Sequence, residues 1–362
     1  MSATAPTHTD RRPDKGGPDN HGTDRNGAEK RGVGAAIAGF LRAREIPVAG
    51  ALVALVIVTS IINPRFLSAQ SVKDLMLNAT IVIILAVGQA LVIITKNVDL
   101  SIGSILGLVA FGTGTMFDAF PGVPIPLVFV AGMVFGALLG AINGALVTAA
   151  KVPALVITLG TMYIFRGILT SWAGSKQYFS GDNPQAFGAL SVDTLLGIPI
   201  ITIVALVVVI AVAIFMNSVR SGRDLYAIGS DESAARLFGI RVTPRVLAAF
   251  VASGALTGLA GVLYTSRYNS VGALTGSGLE LDVVAAVVVG GVAISGGTGT
   301  VVGAAIGAVL LSTITSSLTA TRVDKFWQQA IVGVLILSAI IIDRVVSLRT
   351  AKKLRASEAR DV

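Results

Sequence analysis

The densest polar group in an otherwise apolar chain is Thr95-Lys96-Asn97-Val98-Asp99-Leu100-Ser101, followed by Ile102-Gly103-Ser104. Polar side chains at membrane depth are costly, so a run of this kind serves either as a turn or as part of a solute pathway. As a turn, Asp99 or Ser101 caps the helix that follows. As a pathway, the exposed backbone of a broken helix and Asp99 line a route of sugar size. Asn78, Gln89, Asn143, Thr158, Thr161, Arg166, Gln328 and Gln329 could line the same cavity, and each could equally bond a neighbouring helix. The chemistry within reach is hydrogen-bonded recognition of a neutral solute.

Bond-making chemistry finds little support. The chain has no cysteine, and its two histidines, His8 and His21, both stand near the N-terminus. That removes thiolate chemistry, H-E-x-x-H metal sites, serine–histidine dyads and histidine proton relays together. Gly296-Gly297-Thr298-Gly299 suggests a phosphate cradle, but it lacks the Lys-Ser/Thr of a P-loop and follows an apolar stretch. No Walker motif occurs, so any nucleotide energy must come from another subunit.

The elements that position these residues are membrane helices. Of 362 residues, 53% are hydrophobic and 13% charged, against about 25% charged in globular domains. Apolar runs of span length recur along the chain. The 41 glycines suit close helix packing. The segments are apolar all round, which argues against a β-barrel. The fold class expected is an all-α polytopic membrane protein with about ten transmembrane helices, near 47–62, 75–95, 103–119, 124–149, 154–173, 197–216, 246–265, 281–295, 299–318 and 326–346. The net charge of +8 sits in arginines at membrane flanks, which reads as topology-setting charge rather than a nucleic-acid surface. Residues 1–45 read as a disordered cytoplasmic tail with an interfacial lead-in from Val33 to Glu45, 46–348 as the transmembrane domain, and 349–362 as a cytoplasmic tail.

Positive-inside counting orients the chain. Basic groups flank the N-terminus (Lys30, Arg31, Arg42, Arg44), the centre (Arg220, Arg223, Arg236, Arg241, Arg245) and the C-terminus (Arg349, Lys352, Lys353, Arg355). All three belong in the cytoplasm, and ten spans satisfy this. A weak internal repeat pairs Gly140–Leu146 with Gly303–Val309 in a Gly-Ala-x-x-Gly-Ala pattern. Gly132, Gly136, Gly140 and Gly144 form one stripe and Gly299, Gly303 and Gly307 another, one on each side of the centre. Duplicated halves of transporter type follow.

Between these halves lies the densely charged loop 217–245. Ser230 can cap a short helix whose first turn carries Asp231 and Glu232, with Glu232 and Arg236 spaced i, i+4. Ala234, Leu237 and Phe238 make a small apolar face, and Gly239 is suited to end the helix. Two turns are marginal alone, so the helix needs something to dock against.

These residues carry a resemblance. GRDLYAIGSDESAARLFGI resembles the cytoplasmic coupling segment of ABC-importer permeases of the ribose/xylose/arabinose class. VDLSIGS, VPALVITLGTMYIFRG, LELDVVAAVVVGGVAISGGTGTVVGAAIGA and FWQQAIVGVLIL look like that class's other signatures, over roughly 47–346. Asp231 stands where the family usually has Asn, and Lys96-Asn97 replaces the usual Gly-Gly before DLS, which is more similar to the rhamnose and autoinducer-2 branch. The resemblance implies a multi-pass permease of the plasma or inner membrane that is not an enzyme. It implies a second permease copy or paralogue, an extracellular or periplasmic sugar-binding protein above, and ATP-binding-cassette subunits below that hold the ATP and magnesium. This chain would hold no cofactor. Gly222, Arg223, Ala227, Gly229, Asp231, Glu232, Ala234, Ala235 and Gly239 would form the ATPase-coupling surface. A competing class, an ion-coupled secondary transporter or channel, would want acidic residues in mid-span, and Asp99, Glu280 and Asp282 all fall at the edges of the expected spans.

Overall fold

The computed structural model describes residues 45–150, 152–324, 327–334 and 337–338. Described helices are α1 (Glu45–Ile62), α2 (Ala69–Ile94), α3 (Ile102–Ala119), α4 (Ile125–Ala150), α5 (Ala154–Ala173), α6 (Gln185–Val192), α7 (Ile200–Ser218), α8 (Arg220–Ser230), α9 (Glu232–Leu237), α10 (Val242–Tyr268), α11 (Leu279–Val289) and α12 (Val301–Ala320), with residues 327–334 helical beyond them. Seven of these (α2, α3, α4, α5, α7, α10 and α12) are long and apolar enough to cross a membrane, and α1 contributes the shorter apolar helix Pro47–Ile62. The expected tenth span, near 326–346, falls mostly outside the described residues, as do the expected tails and the lead-in before Glu45.

One expected span is corrected. The eighth, near 281–295, is α11, which has only 11 residues and so rises about 16 Å, half the hydrocarbon thickness. It stops because Gly291, Gly296, Gly297 and Gly299 all take positive φ and turn the chain back toward α12. The same turn takes Gly299 out of the second glycine stripe, since it packs on Val292 rather than lying on a helix face.

The other glycines do bring backbones together. Gly136 of α4 faces Gly254 and Gly258 of α10, and a methyl at Gly136 would land on the Gly254 carbonyl oxygen. Gly132 and Gly140 meet α10 in the same way. On α12, Gly307 faces Ala286 and Gly290 of α11. Thus the repeated Gly-Ala-x-x-Gly-Ala segments fall on α4 and α12, and each supplies its glycine face to a partner helix. α4 packs chiefly on α10, from the far side of the centre, and α12 packs on α2 as well as α11, so the halves interleave. α2 lies innermost, with its second half almost wholly buried. α4, α5 and α7 keep broad apolar faces exposed, as lipid-facing helices do.

At one end of the bundle, short ribbons close the connections. Tyr178–Phe179 (β1) pairs antiparallel with Ser270–Val271 (β4), and Thr194–Leu195 (β2) with Ile198–Pro199 (β3) across a Leu196-Gly197 turn with both φ positive. At the other end, the expected loop 217–245 is mostly helical. α8 fills residues that the charge pattern marked only as loop, burying Gly222, Leu225, Ile228 and Gly229 along one face.

Gly136→Leu is expected to cost about 1–3 kcal/mol by overpacking the α4–α10 contact. Gly167→Leu on α5, where an added side chain meets open space, should leave stability near wild type. Thermal unfolding of both in detergent checks this, and equal midpoints would contradict the packing.

Candidate functional site: a broken-helix core and a charged two-helix segment

The polar run at 95–101 is neither a simple surface turn nor a helix. α2 stops when Lys96 enters the left-handed region at φ 66°, a conformation that favours glycine. The chain then runs as irregular backbone to Ile102, held by side chains of the neighbouring helices. Thr158 on α5 donates its hydroxyl to the Val98 carbonyl at 3.0 Å and accepts from the Leu100 N–H at 3.1 Å. Asp99 Oδ1 accepts from the Ser101 N–H at 2.8 Å and from the Ser101 hydroxyl at 2.7 Å. Asn143 on α4 donates to Ser101 Oγ at 2.6 Å. Ser101 therefore accepts from one neighbour while donating to another, so the bonds polarise one another. Thr161 closes the set by donating to the Thr158 carbonyl at 3.2 Å.

Asp99 and Ser101 make an Asx-type turn, and neither caps α3 by a side-chain bond. Both are completely enclosed. A buried carboxylate needs such donors, since leaving one unpaired costs several kcal/mol. Asn97 opens into a cavity of about 680 Å³ shared with Thr148, Glu232, Arg236 and Thr243.

A second interrupted segment meets the first. After α10 ends at Asn269, residues 272–278 fold back along α3, so that Gly276 touches Gly103 and Thr275 lies against Gly107. Glu280 then stands beside Gly103, in the first turn of α3. Arg166 on α5 donates to the Thr275 carbonyl at 2.6 Å. Glu280 begins α11 and so lies a full helix length, about 16 Å, from the Gly290 end. Asp99 thus stands between α2 and α3, and Glu280 at the start of the half-length α11. Asp282 shares the first turn of α11.

The other pathway candidates scatter. Gln89 is buried inside α2 with neither amide atom bonded. Asn78 lies toward the opposite end, 3.5 Å from Arg267. Gln328 donates to the Val323 carbonyl at 2.9 Å, and Gln329 is exposed. Of the candidates, the structure gathers Asn97, Asp99, Ser101, Asn143, Thr158 and Thr161. Arg166, also a candidate, binds the neighbouring segment, and the structure adds Thr275 and Glu280, which the glycine-rich stretch Gly272–Gly278 could have signalled.

The charged two-helix segment is built from α8 and α9. Asp231, not Ser230, is the N-cap of α9: its Oδ1 accepts from the N–H groups of Ser233 and Ala234 at 2.8 and 3.0 Å, while Ser230 ends α8. Glu232 and Arg236 pair at 2.7 Å. Gly239 takes φ 77°, and Gly239 and Ile240 return their N–H groups to Arg236 and Ala235, a Schellman close. Of the residues expected to form the coupling surface, Gly222, Gly229 and Ala235 face inward, and Arg223 donates to the carbonyls of Asn217 and Ser218 at the end of α7. Ala227 and Ala234 are half-buried, and Glu232 is exposed. What projects is Leu237, 89% exposed, and Phe238, 84% exposed.

A family model described as the branched-chain amino acid transport system / permease component matches residues 71–340. The chain belongs to this permease family. Among curated proteins it is 37% identical over 303 residues to the autoinducer 2 import system permease protein LsrC of Enterobacter sp. (strain 638), covering 84% of this chain and 87% of the relative. It is 36% identical over 300 residues to LsrC of Shigella flexneri and 35% over 300 residues to LsrC of Escherichia coli (strain K12 / DH10B), in each case 83% of this chain and 86% of the relative. No solved structure matches. The permease is thus a multi-pass inner-membrane subunit of an ABC importer of the monosaccharide type, and its class is transport rather than enzymatic.

In the permease, Asn143→Ala should lower stability by about 1–3 kcal/mol, because it strips a donor from a buried acceptor. Combined with Ser101→Ala the losses should be non-additive by about 0.5–3 kcal/mol. Unfolding of the two single variants and the double variant in detergent measures this, and strict additivity would contradict the network.

Proposed function

We propose that this permease carries a sugar-like solute of the autoinducer-2 kind into the cytoplasm by alternating access. It works beside a second permease copy or paralogue, takes solute from an extracellular binding protein, and is driven by two separate ATP-binding subunits that hold ATP and magnesium. The two chain ends and the α8–α9 handle face the cytoplasm, and α9 seats in the ATP-binding subunit. The solute name comes from the relatives, and a neutral sugar suits a core built from hydroxyl, amide and carboxylate hydrogen-bonding groups.

The observation that carries the reading is the exposure of Leu237 and Phe238 on α9. A six-residue helix is too short to persist by propensity alone. This one is capped at both ends and braced by an ion pair, yet the two large apolar side chains at its C-terminal end are left exposed. Exposed apolar groups on a rigid support mark an interaction site. Gly229 and Ala235 bury themselves against the permease, which holds the projection in place for a partner groove.

Replacing Leu237 and Phe238 together by Ser should weaken association with the ATP-binding subunit about a hundredfold or more, since each buried apolar side chain contributes about 1.5–3 kcal/mol. Membrane insertion should be unaffected. Co-purification of the two subunits, with autoinducer-2 uptake by the wild-type complex measured in parallel, is the test. Full association of the double variant would sink the handle, and absence of autoinducer-2 uptake by the wild type would sink the solute.

A further inference from the structure

The inner side of the handle has a geometry that docking does not require. At the end of α8, Gly229 lies directly on the Ile94 carbonyl that ends α2 and on the N–H of Gly297 in the turn between α11 and α12. A methyl at Gly229 would collide with both. Gly297 N–H donates to that same Ile94 carbonyl at 2.9 Å. Gly296 is pressed between Lys96 and the Gly229 carbonyl, and Gly297 against the backbone of Ser230. One turn earlier on α8, Tyr226 Oη donates to the Gly299 carbonyl at 3.1 Å. Three backbones meet with no side chain between them, and α8 grips the 290–300 turn at two points one helical turn apart.

Close-packed interiors transmit displacement rather than absorb it. The two segments that α8 touches are the ones that lead into the core. Ile94 and Lys96 begin the extended run to Asp99 and Ser101, and the 290–300 turn anchors the end of α11, whose other end carries Glu280. On the reading of α8–α9 as the handle, we infer that the seam of Gly229, Ile94 and Gly297, braced by Tyr226, is where movement of the handle enters both interrupted segments together. Gly229 and Tyr226 are then positioning residues for transport, acting through backbone contact. This also accounts for glycine at 296 and 297, where positive φ and absent space both demand it.

The test is the number of solute molecules taken up per ATP hydrolysed by purified, assembled complexes in proteoliposomes, with autoinducer-2 as the probe. In a helix, Gly→Ala is normally favourable by about 0.5–1 kcal/mol, so a deficit in Gly229→Ala comes from the seam and not from the helix. Gly167→Ala on α5, where an added methyl meets open space, is the matched control. Gly229→Ala is expected to lower uptake per ATP about tenfold or more, since angstrom-scale misplacement has effects of that size. Tyr226→Phe, which deletes one hydrogen bond of about 1 kcal/mol, should lower it about fivefold. The wild-type ratio in either assembled variant overturns the inference. If Gly229→Ala complexes do not assemble, Tyr226→Phe decides on the same ratio. Failure of the handle reading shows separately, as undiminished ATPase binding by the Leu237/Phe238 double variant.

Discussion

A polypeptide inside a membrane must satisfy every backbone N–H and C=O from within itself, and irregular backbone survives there only where protein encloses it. The rest of this permease follows from that constraint. Three irregular segments, 95–101, 272–278 and 290–300, run among its helices, and each is held by a specific answer to the missing helical bonds. Thr158 binds the first on both sides, Asp99 and Ser101 turn it on themselves, and Asn143 fastens the turn to α4. Gly276 lies flat on Gly103, with Arg166 bound to the neighbouring Thr275 carbonyl. Gly297 borrows the carbonyl that α2 leaves unpaired at Ile94.

These answers set where the glycines must be. At the α4–α10 and α11–α12 contacts, glycine lets helices approach until carbonyls meet Cα atoms, which makes a stiff frame. At 291, 296, 297 and 299 it allows positive φ and ends α11 at half length. The first use holds the bundle together. The second leaves the centre interrupted, with Glu280 at the start of α11 beside Gly103 of α3. Stiff frame and interrupted centre are combined in one chain, as a machine with two access states requires.

Much of this was legible in residue order. Apolar run lengths reveal the long helices, and the charge of 217–245 marks the handle, down to the Glu232–Arg236 pair and the terminating Gly239. The Asp99 run is conspicuous as polarity where polarity is expensive. What the residues could not reveal alone is how the short segments pack. The eleven residues of α11, nine of them apolar, followed by glycines look like a short span, and 272–278 looks like a surface loop, because its packing is decided by what lies on α3 and α5. The division of the handle into two faces was hidden for a similar reason. Gly229 and Ala235 match a coupling motif, but only tertiary packing shows them turned inward while Leu237 and Phe238 point out.

Handle, seam and core amount to one claim: the interrupted segments move together when the ATP-binding subunit moves. Hydrogen exchange on the assembled complex, compared with and without a non-hydrolysable ATP analogue, tests it most directly. The account predicts a concerted change in amide protection at 95–101 and 290–300, with the α4–α10 contact unchanged. A change confined to α8 and α9, leaving both interrupted segments as they were, would contradict it.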